Sequence, residues 1–143
     1  MSHCQNRTRA PKIGDIYLMN FDGQGNEQKG KRPGLIFQNN LGNQYSPNVI
    51  ALPLTSAIKK INQPTHVFIP SEGTGLARDS IVLCENPVIM SKDKLGIYLT
   101  TIPTEYMGKI AIANLLATSA ISFISPEILS LVWQKAAMLN SVA

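Results

Sequence analysis

The chain has 143 residues, of which 44% are hydrophobic and 15% are charged, a composition typical of a single globular domain and not of a disordered chain. Its formal net charge of +4 is compatible with an anionic partner such as a nucleic acid but does not require one. We expect no membrane-spanning segment, because every apolar run is shorter than the roughly 20 residues that span a bilayer. We expect a cytoplasmic protein, because residues 1–12 have no apolar core of a signal peptide. We expect no disulfide framework, because Cys4 lies in a polar tail whereas Cys84 lies in an apolar run.

The first two thirds of the chain predict a series of short strands. Residues 1–12 are polar and basic, and we expect a flexible arm there. Residues 39–47 are rich in Asn and predict a turn-rich connection. Apolar runs bounded by Gly, Pro, Asn and Asp predict strands at residues 15–21, 33–38, 48–54, 65–69, 79–84, 86–90 and 97–100.

The last third of the chain predicts helices. Apolar residues recur at helical spacing over residues 103–118. Residues 125–127, Ser-Pro-Glu, form a typical helix start and predict a second helix over 126–139, whose apolar stripe we expect to be buried. That stripe comprises Leu129, Val132, Ala136 and Leu139. Short strands followed by helices predict a mainly β (α+β) fold, a bent antiparallel sheet or small barrel with C-terminal helices.

Three side chains near predicted strand ends have the chemistry that RNA cleavage requires. A basic loop delivers Glu27 and Arg32 to the start of one strand, and a neighbouring strand ends at Thr55. RNA carries its own nucleophile, so the protein supplies a carboxylate that takes the 2′-hydroxyl proton. A guanidinium and a hydroxyl hold the phosphate, and the sequence does not decide which group protonates the leaving 5′-oxygen. A surface ion pair and a strand-ending threonine explain the same residues, and their spacing alone leaves both interpretations open.

Several short motifs, read together, resemble the MazF/PemK family of toxins from toxin–antitoxin modules. The resemblance covers about residues 13–121. The motifs are GDIY at 14–17, EQ at 27–28, KRP at 31–33, QNN at 38–40, NQYSP at 43–47, VI at 49–50, LT at 54–55, PTHV at 64–67 and DSIV at 79–82, followed by Glu85. Each motif is weak by itself, whereas the ordered set is specific.

The resemblance implies a homodimeric, SH3-like barrel of the MazF/PemK/CcdB type that cuts single-stranded RNA without a metal or another cofactor. It also implies a cognate antitoxin as a partner. By position, the catalytic arginine corresponds to Arg32, its hydroxyl partner to Thr55, and a proton-transferring carboxylate to Glu27. We expect further RNA contacts from polar and basic residues around them, namely Lys31, Asn39, Ser56, Lys59, Ser80, Glu85 and Asn86.

Two features depart from the family pattern. Val88 stands where an arginine is common, which predicts a change in RNA affinity or specificity. Residues 123–143 extend beyond the barrel domain at 13–122 and predict an additional helix packed on that domain or in the dimer. Two alternatives to a nuclease remain at this point, a non-enzymatic CcdB-like toxin that binds a topoisomerase and a catalytically weakened RNA-binding relative.

Overall fold

A computed structural model of the protein describes residues 10–21, 30–57 and 63–141. The strands are β1 (Asp15–Phe21), β2 (Gly30–Ile36), β3 (Asn48–Thr55), β4 (His66–Ile69), β5 (Ser80–Leu83), β6 (Val88–Ser91) and β7 (Leu95–Thr101). The helices are α1 (Asn40–Tyr45), α2 (Thr104–Thr118) and α3 (Leu129–Leu139), and short 3₁₀ turns cover Lys92–Lys94, Ala120–Phe123 and Pro126–Ile128.

All seven strands belong to one antiparallel sheet. Its main path runs β4, β5, β3, β2, β1, β7, and β6 pairs with β3 off this path. The eight-residue strand β3 has three partners, since its first half pairs with β6, its middle with β2 and its last two residues with β5. Because one strand serves three neighbours in succession, β3 lies at the centre of the sheet, and its C-terminal end lies between β2 and β5.

Two apolar clusters pack on opposite faces of the sheet. Along β1, Ile16 belongs to one cluster, whereas Tyr17, Met19 and Phe21 belong to the other. This partition follows from the alternation of side chains along a strand. The first cluster also contains Ile110 and Ala113 of α2, so this helix covers one face of the sheet.

A buried carboxylate anchors the start of β1. Asp15 is 1% exposed. Its Oδ2 accepts a hydrogen bond of 2.8 Å from the Lys12 backbone N–H, and its Oδ1 accepts one of 2.7 Å from the Thr101 hydroxyl on β7. A buried polar group is tolerated when it is bonded in this way, so the Gly14-Asp15 motif has a structural role here.

The connection at 39–47, predicted to be turn-rich, instead contains α1. The Asn39 side chain accepts a hydrogen bond of 2.8 Å from the Gly42 N–H and caps the helix. Fully buried Asn43 donates to the Gln38 carbonyl at 2.8 Å and to Asn40 Oδ1 at 3.1 Å. The sequence prediction missed this helix for two reasons. It has only six residues, most of which are poor helix formers, and it is held by hydrogen bonds of side-chain amides and not by an apolar face.

The C-terminal helix lies on the surface of the described chain. Every residue from 125 to 141 is exposed, including the stripe that the sequence predicted to be buried. The Asn40 backbone N–H donates a hydrogen bond of 2.8 Å to Asn140 Oδ1, which ties the end of α3 to α1. The burial prediction is therefore wrong for the single chain, since helical spacing marks an apolar face without identifying what covers it. None of the described helices combines the length and apolarity needed to cross a bilayer.

Candidate active site

A cavity of about 530 Å³ lies where the central strands end. Its walls come from β2, β3 and β7 and from the segment that leads into β5. The lining residues are Arg32, Pro33, Leu54, Thr55, Ser56, Ala57, Gly75, Leu76, Ala77, Arg78, Ser80 and Leu99. The cavity therefore combines two guanidinium groups, three hydroxyls and an aliphatic wall.

Strand pairing brings Arg32 and Thr55 to the same place. β2 and β3 are antiparallel, with Gly34 opposite Pro53. This is the last pair of the two strands, and Arg32 and Thr55 each lie two residues beyond it. Arg32 lies within β2, opposite Met19 of β1, and not before the strand as its position next to a predicted loop had suggested. Both side chains are half-buried and line the cavity, so a fixed backbone presents them to one ligand.

Hydroxyl groups complete this end of the cavity. Thr55 is the last residue of β3, and its Oγ1 accepts a hydrogen bond of 3.1 Å from the Ala57 N–H. Ser80 opens β5, is 6% exposed and donates to the Arg78 carbonyl at 3.0 Å. Ser56 is exposed at the rim. A threonine hydroxyl that accepts from the backbone still has a proton to donate, so Thr55 is able to bind a phosphate oxygen.

Four of the ten predicted site residues line the cavity, namely Arg32, Thr55, Ser56 and Ser80. Glu27 and Lys59 lie outside the described residues. Lys31 is exposed on β2, and Asn39 caps α1. Asn86 is exposed in the turn after β5, where its N–H donates to the Leu83 carbonyl at 3.2 Å. The cavity lining includes none of these three residues.

The predicted RNA contact Glu85 is paired with a histidine. Its Oε2 lies 2.8 Å from His66 Nε2, and the His66 side chain is 7% exposed. The pair joins the start of β4 to the end of β5, in register with the pairing of His66 and Leu83. His66 is thus a strand histidine with a carboxylate partner, and neither member of the pair lines the cavity.

The neighbouring thiol is not a reactive group. Burial raises the pKa of Cys84 from 9.0 to about 12, and the negative charge of Glu85 adds to this shift. A thiol protonated at neutral pH is a poor nucleophile and a poor metal ligand. Within the described ranges, no three His, Cys, Asp or Glu side chains gather in a way that could hold a metal ion.

The sequence prediction missed one charged residue of the cavity, Arg78. It precedes the Asp79-Ser80 motif in a loop, where no periodicity marks the direction of a side chain. The only signal in the sequence was a basic residue directly before the Asp79-Ser80 motif, at which strand β5 begins.

The comparisons with known proteins extend over most of the chain. A family model described as "PemK-like, MazF-like toxin of type II toxin-antitoxin system" matches residues 12–116. The endoribonuclease EndoA of Bacillus subtilis (strain 168) is 36% identical over 113 residues, which are 78% of this chain and 97% of that protein. Helix α3 lies beyond the residues that the family model matches.

Solved structures agree with the fold. A mycobacterial endoribonuclease in complex with its cognate antitoxin is 30% identical, with a TM-score of 0.66 over 78% of this chain and 97% of that one. MazF of Deinococcus radiodurans, at 23% identity, has a TM-score of 0.67 over 77% of this chain and 97% of its own. The predicted mainly β fold of MazF type with C-terminal helices is confirmed. Because the family model matches residues 12–116 and a relative is 36% identical over 78% of the chain, the chain belongs to the PemK-like, MazF-like toxins of type II toxin–antitoxin systems.

Proposed function

We propose that the chain is a metal-independent endoribonuclease that cleaves single-stranded RNA, including mRNA, in a sequence-selective way. The observation that carries this proposal is the presence of Arg32 and Thr55 on two adjacent strands in the wall of one open cavity. Relatives at 36% and 30% identity are named endoribonucleases, which supports the same activity. Because single-stranded RNA is its substrate, we propose that it acts in the cytoplasm.

The proposed reaction is an internal transesterification. The ribose 2′-oxygen forms a bond to the adjacent phosphorus, and the bond from phosphorus to the 5′-oxygen of the next nucleotide breaks. The products are a 2′,3′-cyclic phosphate and a 5′-hydroxyl. Arg32 binds the non-bridging oxygens of the phosphorane through two N–H groups, and Thr55 donates a hydrogen bond that holds the phosphate in line.

The two proton transfers need other groups. A guanidinium is not deprotonated in proteins, so Arg32 binds and stabilises the phosphorane without transferring a proton. We propose Glu27 as the base that takes the 2′-hydroxyl proton, and a water molecule as the donor to the leaving 5′-oxygen.

Further RNA contacts are proposed in two places. At the cavity they are Ser56 and Ser80, and along the RNA beyond it they are Lys31, Asn39, Lys59, Glu85 and Asn86. For Asn39 and Glu85, contact requires exchange of the partners they have within the chain.

The proposal is tested by cleavage of a mixed-sequence, single-stranded RNA in EDTA. We expect the wild type to produce fragments with cyclic-phosphate ends. We expect Arg32→Ala to lower kcat by about 100- to 1000-fold, the scale of losing a donor to a transition-state oxyanion. Lys109→Ala is the matched control, because it removes an exposed cation of α2 that does not line the cavity.

Three outcomes would contradict the proposal. Cleavage that survives Arg32→Ala would place the chemistry elsewhere or in a contaminant. Tight RNA binding without cleavage would favour a weakened RNA-binding relative. Absence of both, together with topoisomerase binding, would favour a CcdB-like toxin. Primer extension on cleaved transcripts would then identify the bases at the cut site.

Two protein partners are part of the proposal. The first is a cognate antitoxin, which the mycobacterial complex supports. The second is another copy of this chain, in a homodimer that buries the apolar side chains of α3. These side chains are between 38% and 75% exposed in the single chain, a surface that a free protein seldom presents to water. They are Leu129, Leu131, Val132, Trp133, Met138 and Leu139.

A further inference from the structure

We infer that Arg78 binds a second backbone phosphate of the RNA, next to the one that is cleaved. The inference rests on the proposed function, because it extends the RNA path from Arg32 and Thr55 across the same cavity. Arg78 is exposed and lines that cavity from the segment before β5, whereas Arg32 enters from β2. Two guanidiniums on different elements thus line one space.

The backbone that bears Arg78 is held at three points. The Ser80 hydroxyl donates to the Arg78 carbonyl at 3.0 Å. The Ser71 N–H donates to Asp79 Oδ1 at 2.8 Å, which closes the preceding turn. The Thr100 hydroxyl of β7 donates to the Thr74 carbonyl at 2.9 Å and fixes the far side of the loop. An anchored backbone lowers the entropy lost when the side chain orders on a ligand.

The charge of Arg78 is available to an anion. None of the described carboxylates forms an ion pair with it, and the adjacent Asp79 carboxylate is used by the Ser71 N–H. An arginine exposed at a cavity wall, whose side chain has no hydrogen bond or ion pair to another described residue, fits a phosphate in bidentate fashion. Its role differs from that of Arg32, which is half-buried within a strand.

The size and lining of the cavity match more than a single phosphate. A volume of about 530 Å³ lies within the range of sites that hold whole ligands of a few hundred daltons. Leu54, Leu76 and Leu99 provide an aliphatic wall, and none of the residues that line the cavity is aromatic. We therefore expect a base or ribose to pack against these leucines between two phosphates, without aromatic stacking.

Binding of a 2′-O-methyl RNA heptamer, which cannot be cleaved, tests the assignment as a function of KCl concentration. We expect Arg78→Ala to weaken binding about 10-fold, as for loss of a charged hydrogen bond. We also expect the slope of log K against log salt to shrink by about 0.7, the value for one phosphate contact on a single strand. Arg78→Lys should keep the slope, because it keeps the charge, and Lys109→Ala should change neither quantity.

Cleavage kinetics separate this role from that of Arg32. We expect Arg78→Ala to raise KM and to leave kcat within about threefold, because the contact is made equally in the ground state and the transition state. A salt slope for Arg78→Ala equal to that of Lys109→Ala would overturn the inference. The inference would also be overturned if the protein bound poly-glutamate more tightly than the RNA and this binding depended on Arg78. Arg78-dependent RNA binding without any cleavage would support the inference and contradict only the proposed function.

Discussion

The cavity residues show how far single positions could be predicted. Arg32 and Thr55 were predicted through the resemblance to a family, and the pairing of β2 with β3 explains why both line one cavity. Arg78 could not be predicted, since its orientation depends on hydrogen bonds that join residues distant in sequence, such as that between Thr100 and Thr74. Local pattern carries no information on such contacts.

Gly75 gives a prediction at this scale. Gly73 and Gly75 both have positive φ, +78° and +81°, so alanine at either position costs a similar backbone strain of about 1–2 kcal/mol. At Gly73 a Cβ meets open space, whereas at Gly75 it would overlap the Thr100 hydroxyl. We expect Gly75→Ala to be the less stable variant by at least another ~1 kcal/mol in urea unfolding.

RNA binding should separate the two glycine variants as well. The loop that Gly75→Ala displaces carries Arg78, so we expect this variant to bind the 2′-O-methyl heptamer more weakly than Gly73→Ala does. Equal stability and equal binding of the two variants would show that the close approach to Thr100 does not position the loop.

Among the secondary-structure elements, apolar runs bounded by turn residues predicted all seven strands. The largest error in a strand boundary is the start of β2, which begins at Gly30 and not at residue 33. Lys31 and Arg32 pair with β1 although neither is apolar, so no apolar signal marked them as part of the strand. Helix α1 was missed, since amide side chains and not apolar spacing define it. For α3, the pattern identified an apolar stripe, yet nothing in a single sequence states which surface covers it.

The proposed dimer predicts the behaviour of α3. An isolated helix of 11 residues is marginal in water, and α3 bears Lys135 as its single charged residue. We expect Val132→Asp to weaken dimerisation by at least 10-fold in light scattering, because it would bury a carboxylate in an apolar interface. Ser130→Asp is the matched control, since it adds the same charge on the polar side of the helix.

Trp133, the only tryptophan of the chain, reports on the same interface. It is 75% exposed in the single chain, so we expect its emission to shift to the blue as protein concentration rises through the dimerisation range. An emission maximum independent of concentration, or a dimer unaffected by Val132→Asp, would exclude α3 from the interface.

At the scale of the whole molecule, the fold and the proposed chemistry depend on the same feature. The central strand β3 changes partners along its length, and its end at Thr55 opens beside β2. Strand order could not be predicted from local patterns, because three-way pairing of one strand is a property of the assembled sheet. The resemblance supplied what periodicity could not, a known arrangement in which these strand ends meet.

Joint binding of one phosphodiester by Arg32 and Thr55 is tested by a double-mutant cycle on kcat for cleavage in EDTA, with Arg32→Ala, Thr55→Val and the double variant. If both side chains hold the same phosphodiester, we expect the double variant to be slowed far less than the product of the two single effects. Thr55→Ser, which keeps the hydroxyl, should retain most of the activity. Single effects that multiply in full would contradict this joint role, because they would show that the guanidinium and the hydroxyl act independently.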